Sequence, residues 1–349
     1  MDIRDFLKQA RSFTASDFHL VVGIPPTVRV HGELGMMSSV PLAPHEIKEL
    51  IYGVLTQDQR HSFEKNLELN FALSLGELGR FRVNIYASKG NIEAAFRLIS
   101  VAPKPIAELG LPDIIAQISR KPSGLILITG PAGQGKTTTL SAMIHEINND
   151  VQRKCRIVTI EDPIEYLHPN KNSVIIQREV GIDTKSFSVA LVQSLRQDPN
   201  IICIGEIRDL ETIATALTAA ETGHLVLATL HTPDAAQCID RIIDVFPAHQ
   251  QQQICVQLAS SLEAVIAQKL LPRKDGKGRV VASEVLIASS AVRNIIRDRK
   301  TEQLYGVMQT GSSMGMILMD DSLKNLHQKE IITLETAVSK ARDPRNVKD

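Results

Sequence analysis

The 349-residue chain predicts an α/β protein in two parts: a smaller α+β unit, then a larger, mostly parallel sheet with helices on both faces. Two observations carry this reading. From about residue 113 onward, short apolar runs of strand character alternate with helical runs, the pattern of strand–helix–strand crossovers. Before about residue 100, apolar and polar residues alternate in short stretches divided by turn signals, as half-buried strands do. Between the two, Ser100-Val-Ala-Pro-Lys-Pro-Ile-Ala-Glu-Leu-Gly-Leu-Pro112 carries three prolines and reads as a linker. The expected division is 1–100, a linker over 101–112, and 113–349 with a helical C-terminal region from about 250.

In the first part, Phe18-His-Leu-Val-Val and Thr27-Val-Arg-Val-His alternate like strands around a Gly23-Ile-Pro-Pro turn. Pro44 to about Arg60 reads as helix. Arg80-Phe-Arg-Val-Asn-Ile-Tyr and Ile92-Glu-Ala-Ala-Phe-Arg-Leu-Ile read as two strands joined through Lys89-Gly90. In the second part, strands are expected at 124–129, 156–161, 174–178, 201–204 and 224–230. Helices are expected at about 137–149, 187–196, 210–222 and 235–245.

Composition removes several function classes. A hydrophobic content of 43% supports real cores, while Lys+Arg and Asp+Glu balance at 39 each. With no net basic field, no Trp and 4% aromatic residues, the chain lacks the basic, aromatic-studded surface of a single-strand nucleic-acid binder, and no nucleic-acid partner is expected. Cys155, Cys203, Cys238 and Cys255 lie far apart with no Cys-x-x-Cys pair, which argues against zinc ribbons and redox dithiols. They read as free thiols of a reducing compartment. Met1-Asp-Ile-Arg-Asp-Phe shows no secretory signal, and no apolar stretch approaches the 18 residues that suggest a transmembrane segment. A cytoplasmic location is expected.

The chemistry concentrates after the expected strands. Strand 124–129 runs into Gly130-Pro131-Ala132-Gly133-Gln134-Gly135-Lys136-Thr137-Thr138, a Gly-x-x-x-x-Gly-Lys-Thr loop that opens a helix. Small residues let backbone N–H groups turn inward around a β-phosphate, and the helix adds its positive N-terminus. Lys136 reaches β/γ oxygens, and Thr137 offers a hydroxyl to Mg²⁺. Ile201-Ile-Cys-Ile-Gly205-Glu206 ends a strand in an acid suited to hold Mg²⁺, directly or through water. The usual Asp-Glu pair is here Gly-Glu. Thr159-Ile-Glu161-Asp162-Pro-Ile-Glu165 supplies carboxylates where an attacking water needs a base. Thr222-Gly-His224-Leu-Val-Leu-Ala-Thr-Leu-His231-Thr flanks a strand with two histidines, either structural or able to sense a γ-phosphate. Their spacing and lack of Cys or acid partners argue against a metal site.

These four motifs, in order and spacing, resemble those of the secretion-type ATPases of type IV pilus and type II secretion machines. In that family they are the P-loop, the Asp box, the Walker B segment (Gly205 to Asp209) and the His box. The resemblance runs the length of the chain, from Ala15-Ser-Asp-Phe-His-Leu to Gln309-Thr-Gly-Ser-Ser-Met-Gly-Met. It implies a PAS-like N-terminal domain, a RecA-like P-loop domain, ATP and Mg²⁺ as ligands, and a homohexameric ring with ATP between the two domains. It implies Glu165 as general base, Glu206 as the acid holding Mg²⁺ through water, His224 and His231 as catalytic histidines, and Arg82 and Arg97 as arginines reaching the γ-phosphate. Ala132 and Gln134 stand where the family more often has Thr and Ser, and Thr137 where it more often has Ser.

Within the family, Ala291-Val-Arg293-Asn-Ile-Ile-Arg297-Asp resembles a motif that marks pilus-retraction members rather than extension members. Helical spacing places Ala291, Val292, Ile295 and Ile296 on one apolar face and Arg293 with Arg297 on another. That helix is either a plain amphipathic one with solvated arginines or one that transmits motion. The resemblance implies a pilus machinery partner, an inner-membrane platform protein, and peripheral membrane association. Extension and secretion members usually carry an extra N-terminal domain, and many a four-cysteine metal module. Neither is expected here, which favours retraction over pilus assembly or type II secretion. A DNA-active RecA-like motor is a third reading, disfavoured by the charge balance.

Overall fold

The computed structural model describes residues 2–30, 32–99 and 103–348. His31, at the end of the second expected strand, and 100–102, at the start of the expected linker, lie outside the described residues. The chain forms two compact units: 1–102 together with Glu165–Leu167, and 103–164 with 168–349.

The first unit contains α1 (Ile3–Ser12), β1 (Asp17–Leu20), β2 (Thr27–Val30), β3 (Glu33–Met36), α2 (Pro44–Tyr52), α3 (Gln57–Asn66), β4 (Glu68–Ser74), β5 (Arg80–Ser88) and β6 (Asn91–Leu98). The strands form an antiparallel sheet in the order β3-β2-β1-β6-β5-β4. Its apolar face packs Phe18, Val83, Ile85 and Phe96 against Phe6 and Leu7 of α1 and Ile47 and Ile51 of α2. The single helix expected from Pro44 to Arg60 is two helices. Gly53 ends the first, and Thr56 starts the second with a capping box: its hydroxyl accepts from Gln59 N–H and its own N–H donates to the Gln59 side chain.

The second unit runs α4 (Ile114–Ser119), β7 (Gly124–Thr129), α5 (Lys136–Asn149), β8 (Arg156–Glu161), β9 (Val174–Glu179), α6 (Phe187–Ser194), β10 (Ile201–Ile204), α7 (Leu210–Glu221), β11 (Leu225–Thr229), α8 (Ala235–Asp244), α9 (Ala248–Ser261), β12 (Leu262–Pro272), β13 (Arg279–Ile287), α10 (Ser290–Arg297), α11 (Leu304–Thr310), α12 (Met319–Gln328), α13 (Leu334–Lys340) and α14 (Arg345–Lys348). The sheet order is β13-β12-β7-β11-β10-β8-β9, parallel throughout except for β13. Every residue of β7, β10 and β11 is buried, because helices cover both faces. Successive residues divide between two cores: Leu125, Leu127, Ile202 and Ile204 face one, and Ile126, Ile128, Ile201 and Cys203 the other.

Two expectations are corrected here. The region from about 250 is not uniformly helical: β12 and β13 form a long hairpin at the sheet edge. Flanked by β7 and β13 and buried on both faces, β12 shows no period-two alternation, so its Ala- and Leu-rich run reads like helix. The overlooked signal is Asp275-Gly276 in the intervening turn, with Gly276 at φ 69°. The prolines of the expected linker do not mark a loose tether from Pro103 on. Ile106 and Leu111 are 2% and 5% exposed and belong to the core around α5.

Candidate active site

The chemistry of the second unit gathers at the C-terminal ends of parallel strands, where open α/β sheets place ligands. After β7, Gly130, Gly133 and Gly135 adopt φ of 149°, 75° and 83°. A Cβ on Gly130 would lie 2.6 Å from the Gln268 carbonyl oxygen, so only glycine allows the loop to rest against β12. Gly135 is the N-cap of α5 and has no side chain to bond the helix's first N–H groups, which therefore suit an anionic ligand.

Lys136 is 7% exposed, and its ammonium donates to the carbonyls of Gly130 (2.8 Å) and Pro131 (2.9 Å). It also lies 3.3 Å from His231 Nδ1, while His231 Nε2 lies 3.2 Å from Glu206 Oε2. An ammonium only donates and a carboxylate only accepts. The arrangement therefore fits a neutral His231 with its proton on Nε2, linking the P-loop lysine to the acid after β10. Glu206 is paired on its other side with Arg208. Thr129, the last residue of β7, fastens the His231 loop: its hydroxyl accepts from Thr232 N–H (2.9 Å) and bonds the Thr232 carbonyl (2.7 Å). Gly205, where an aspartate is usual, packs closely on β8. A Cβ there would sit 3.2 Å from Ile160 O and 3.3 Å from Glu161 Cα at the end of β8. Asp209, at the end of the same segment, caps α7 through Thr212 N–H.

The histidine pair separates. His224 precedes β11, and its carbonyl accepts from Gly124 N–H at the start of β7, whereas the P-loop follows the end of β7. The strand between the two histidines spans on the order of 15 Å. His224 Nδ1 instead bonds Ala219 O (3.0 Å) at the C-terminal turn of α7. The two histidines expected as catalytic groups thus lie at opposite ends of β11: His231 stands beside Lys136, and His224 stands at the end away from the P-loop.

Among the Asp-box acids, Glu161 is 8% exposed and accepts from the Thr159 hydroxyl (2.6 Å) and the Gln177 amide (3.0 Å). Glu165 is exposed in the segment after β8. Arg82 and Arg97 are exposed on the polar face of the first unit's sheet, where they are direct cross-strand partners. Like charges so placed repel. Asp17, the partner of Arg97 on its other side, accepts from Arg97 Nε at 2.9 Å. Partial burial works to raise the Asp17 carboxyl, but the hydrogen bonds from Arg97 and Ser16 outweigh it and hold it below the ordinary carboxylate range. Sequence reading gave no individual role to Asp17, Arg208 or Gln268. A glutamine inside an apolar run was the available signal for the last.

Helix α10 has inequivalent arginines. Arg293 donates to the carbonyls of Ala259, Ser260 and Ala288 and to Glu263, bracing the end of α9. Glu263 also pairs with Lys121. Arg297 is exposed, and so is Ala291, which leaves Val292, Ile295 and Ile296 as the buried face. Arg293→Ala strands α9 carbonyls and should cost about 2–3 kcal/mol, lowering the melting temperature by about 5–10 °C, whereas Arg297→Ala should cost under about 0.5 kcal/mol. Thermal denaturation followed by circular dichroism separates the two. Equal, small shifts for both variants would contradict the brace.

A Gly-Lys-Thr loop between a buried parallel strand and a helix, with an acid after β10, one strand removed in the same parallel sheet, defines a P-loop ATPase of RecA-like build. Residues 99–338 match the family model described as type II/IV secretion system protein. The type IV pilus retraction ATPase PilT of Pseudomonas aeruginosa is 45% identical over 346 residues, 99% of this chain and 100% of that protein. A twitching motility protein of Neisseria gonorrhoeae is 43% identical over 345 residues, 99% of this chain and 92% of that protein. A crystal structure of the pilus retraction motor PilT with bound ADP superposes with a TM-score of 0.93 at 43% identity, covering 100% of this chain and 99% of that one. The chain belongs to the type II/IV secretion system protein family and, within it, to the PilT group of nucleotide-binding ATPases.

Proposed function

We propose that this chain is a ring-forming motor that hydrolyses ATP to drive type IV pilus retraction. The observation that carries this reading is full-length similarity to a retraction ATPase at 45% identity, spanning the N-terminal unit and α10 as well as the ATPase core. ATP phosphates would lie in the loop 130–138, against the uncapped start of α5 and Lys136. Thr137 and Glu206 offer the hard oxygen donors that Mg²⁺ prefers. The ion, when bound, screens phosphate charge. Glu165 orients and deprotonates the attacking water. Arg82 and Arg97, on the unit that lacks the P-loop, stabilise the spreading negative charge, which makes assembly into a homohexamer a condition of turnover. The ring acts on a platform protein of the inner membrane from the cytoplasmic side. No helix among the described residues is long and apolar enough to cross a membrane.

The test is deletion of the gene in a piliated host. Excess, long pili with lost twitching motility is the expected result. Cells without pili would assign the chain to pilus assembly instead, and an unaltered pilus population with blocked protein export would assign it to type II secretion.

A further inference from the structure

Strand β12 outruns its neighbour. Its last partner on β7 is the Ala267–Thr129 pair, yet it continues to Pro272. From Gln268 on, the edge of β12 facing β7 has no strand partner among the described residues, and the P-loop takes that place. Leu270 N–H donates to the Gln134 side-chain oxygen at 2.6 Å, and the Gln268 side-chain amide donates to the Gln134 carbonyl at 2.7 Å. A main-chain N–H only donates and a carbonyl only accepts, so both side-chain amides have a fixed orientation. Gln268 is 1% exposed, and its amide nitrogen lies 3.4 Å from where a Cβ of Gly135 would be. Gln134 is thus held from two sides, at the centre of the phosphate loop. A serine here, the residue more usual at this position in the resembled family, falls short of Leu270 by a methylene and an amide carbon.

We propose that Gln134 is a positioning residue: with Gln268 it clamps the P-loop to β12 in its phosphate-binding form, and so tightens nucleotide binding and slows release of the diphosphate product. The clamp acts on the ground state of the loop and touches no reacting atom. Its loss therefore shows first in binding and in product release.

This inference rests on the reading of the loop as a nucleotide site, and the experiment separates the two. Dissociation constants and dissociation rates for a fluorescent N-methylanthraniloyl-ADP are measured on the full chain, with single-turnover hydrolysis of pre-bound ATP and thermal melting alongside. Gln134→Met keeps length and removes the acceptor; Gln134→Ser shortens the side chain to the residue the family tolerates. Both should weaken binding about five- to tenfold, the worth of one well-made hydrogen bond, through a faster dissociation rate. Gln268→Met, outside the phosphate loop, should keep its single-turnover rate within about twofold, and melting of all the variants should stay near that of the wild type. Gln268→Met should give a similar loss, and the double variant little more, since the two side chains act as one clamp. Unchanged dissociation with normal melting in both Gln134 variants overturns the proposal. A lower melting temperature with unchanged affinity also overturns it, by making the contact purely structural. If the wild-type chain itself fails to bind the probe, the nucleotide reading falls, and this inference with it.

Discussion

Lys136→Ala removes nucleotide binding: titration with a fluorescent ATP analogue shows affinity lower by about a hundred- to ten-thousandfold, the loss of two charge-assisted hydrogen bonds at about 1.5–3 kcal/mol each. The size of the effect follows from how the ammonium is held. It is buried and anchored by the carbonyls of Gly130 and Pro131, at the start of the loop proposed to hold the phosphates. Alanine leaves the loop's N–H groups in place but removes the only side-chain cation of the Gly130–Thr138 loop. It also cuts the His231 contact, so the variant's melting curve belongs beside the titration. Affinity within tenfold of the wild type would overturn the assignment.

Glu165→Gln leaves ATP affinity nearly unchanged and lowers steady-state turnover by on the order of 10²–10⁴, the usual contribution of a general base. The contrast with Glu161 makes this assignable. Glu161 is buried and fixed by Thr159 and Gln177, so its carboxylate is committed to holding the ends of β8 and β9 together. Glu161→Gln should therefore lower stability before it lowers chemistry. Glu165 is exposed and keeps its carboxylate available. Phosphate release measured for both variants at saturating ATP decides between them. Normal turnover in Glu165→Gln removes it from the role.

How far the sequence could be read depends on what kind of signal each part carries. The buried parallel strands were legible to the residue at 124–129, 156–161 and 201–204, because short runs rich in Ile, Leu and Val, closed by Gly or Asp, leave little freedom in placement. Strands β3 and β4 were not. Glu33–Met36 is exposed throughout and carries a glycine, and Glu68–Ser74 follows α3 through Leu67 at φ 61° with no Gly or Pro to mark the turn. The P-loop residues were legible because phosphate binding demands fixed types at fixed spacing. The placement of His224 was not, since a motif read along the chain does not say which end of a strand faces the ligand. Nor were Gln268 and Asp17 legible, because each matters through a partner more than 70 residues away in sequence. The departure of Gln134 from the family pattern was visible in the sequence, but its consequence was not, because its partner Leu270 lies on a strand read as helix.

The cysteines bear on how motion in this protein is best observed. Cys203, Cys238 and Cys255 are free and buried, and burial pushes the Cys238 thiol up to about 12. Since the thiolate is the reactive form, burial leaves this thiol little reactive at neutral pH. Cys155 alone is partly exposed. A single Cys155→Ser exchange therefore yields a background nearly silent to maleimide and methanethiosulfonate reagents. Pairs of cysteines introduced one per unit, at exposed positions such as Lys89 and Lys277, then accept fluorophores or spin labels without stripping the core of its native thiols. The distance between the two units across the ATPase cycle thus becomes open to direct spectroscopic measurement.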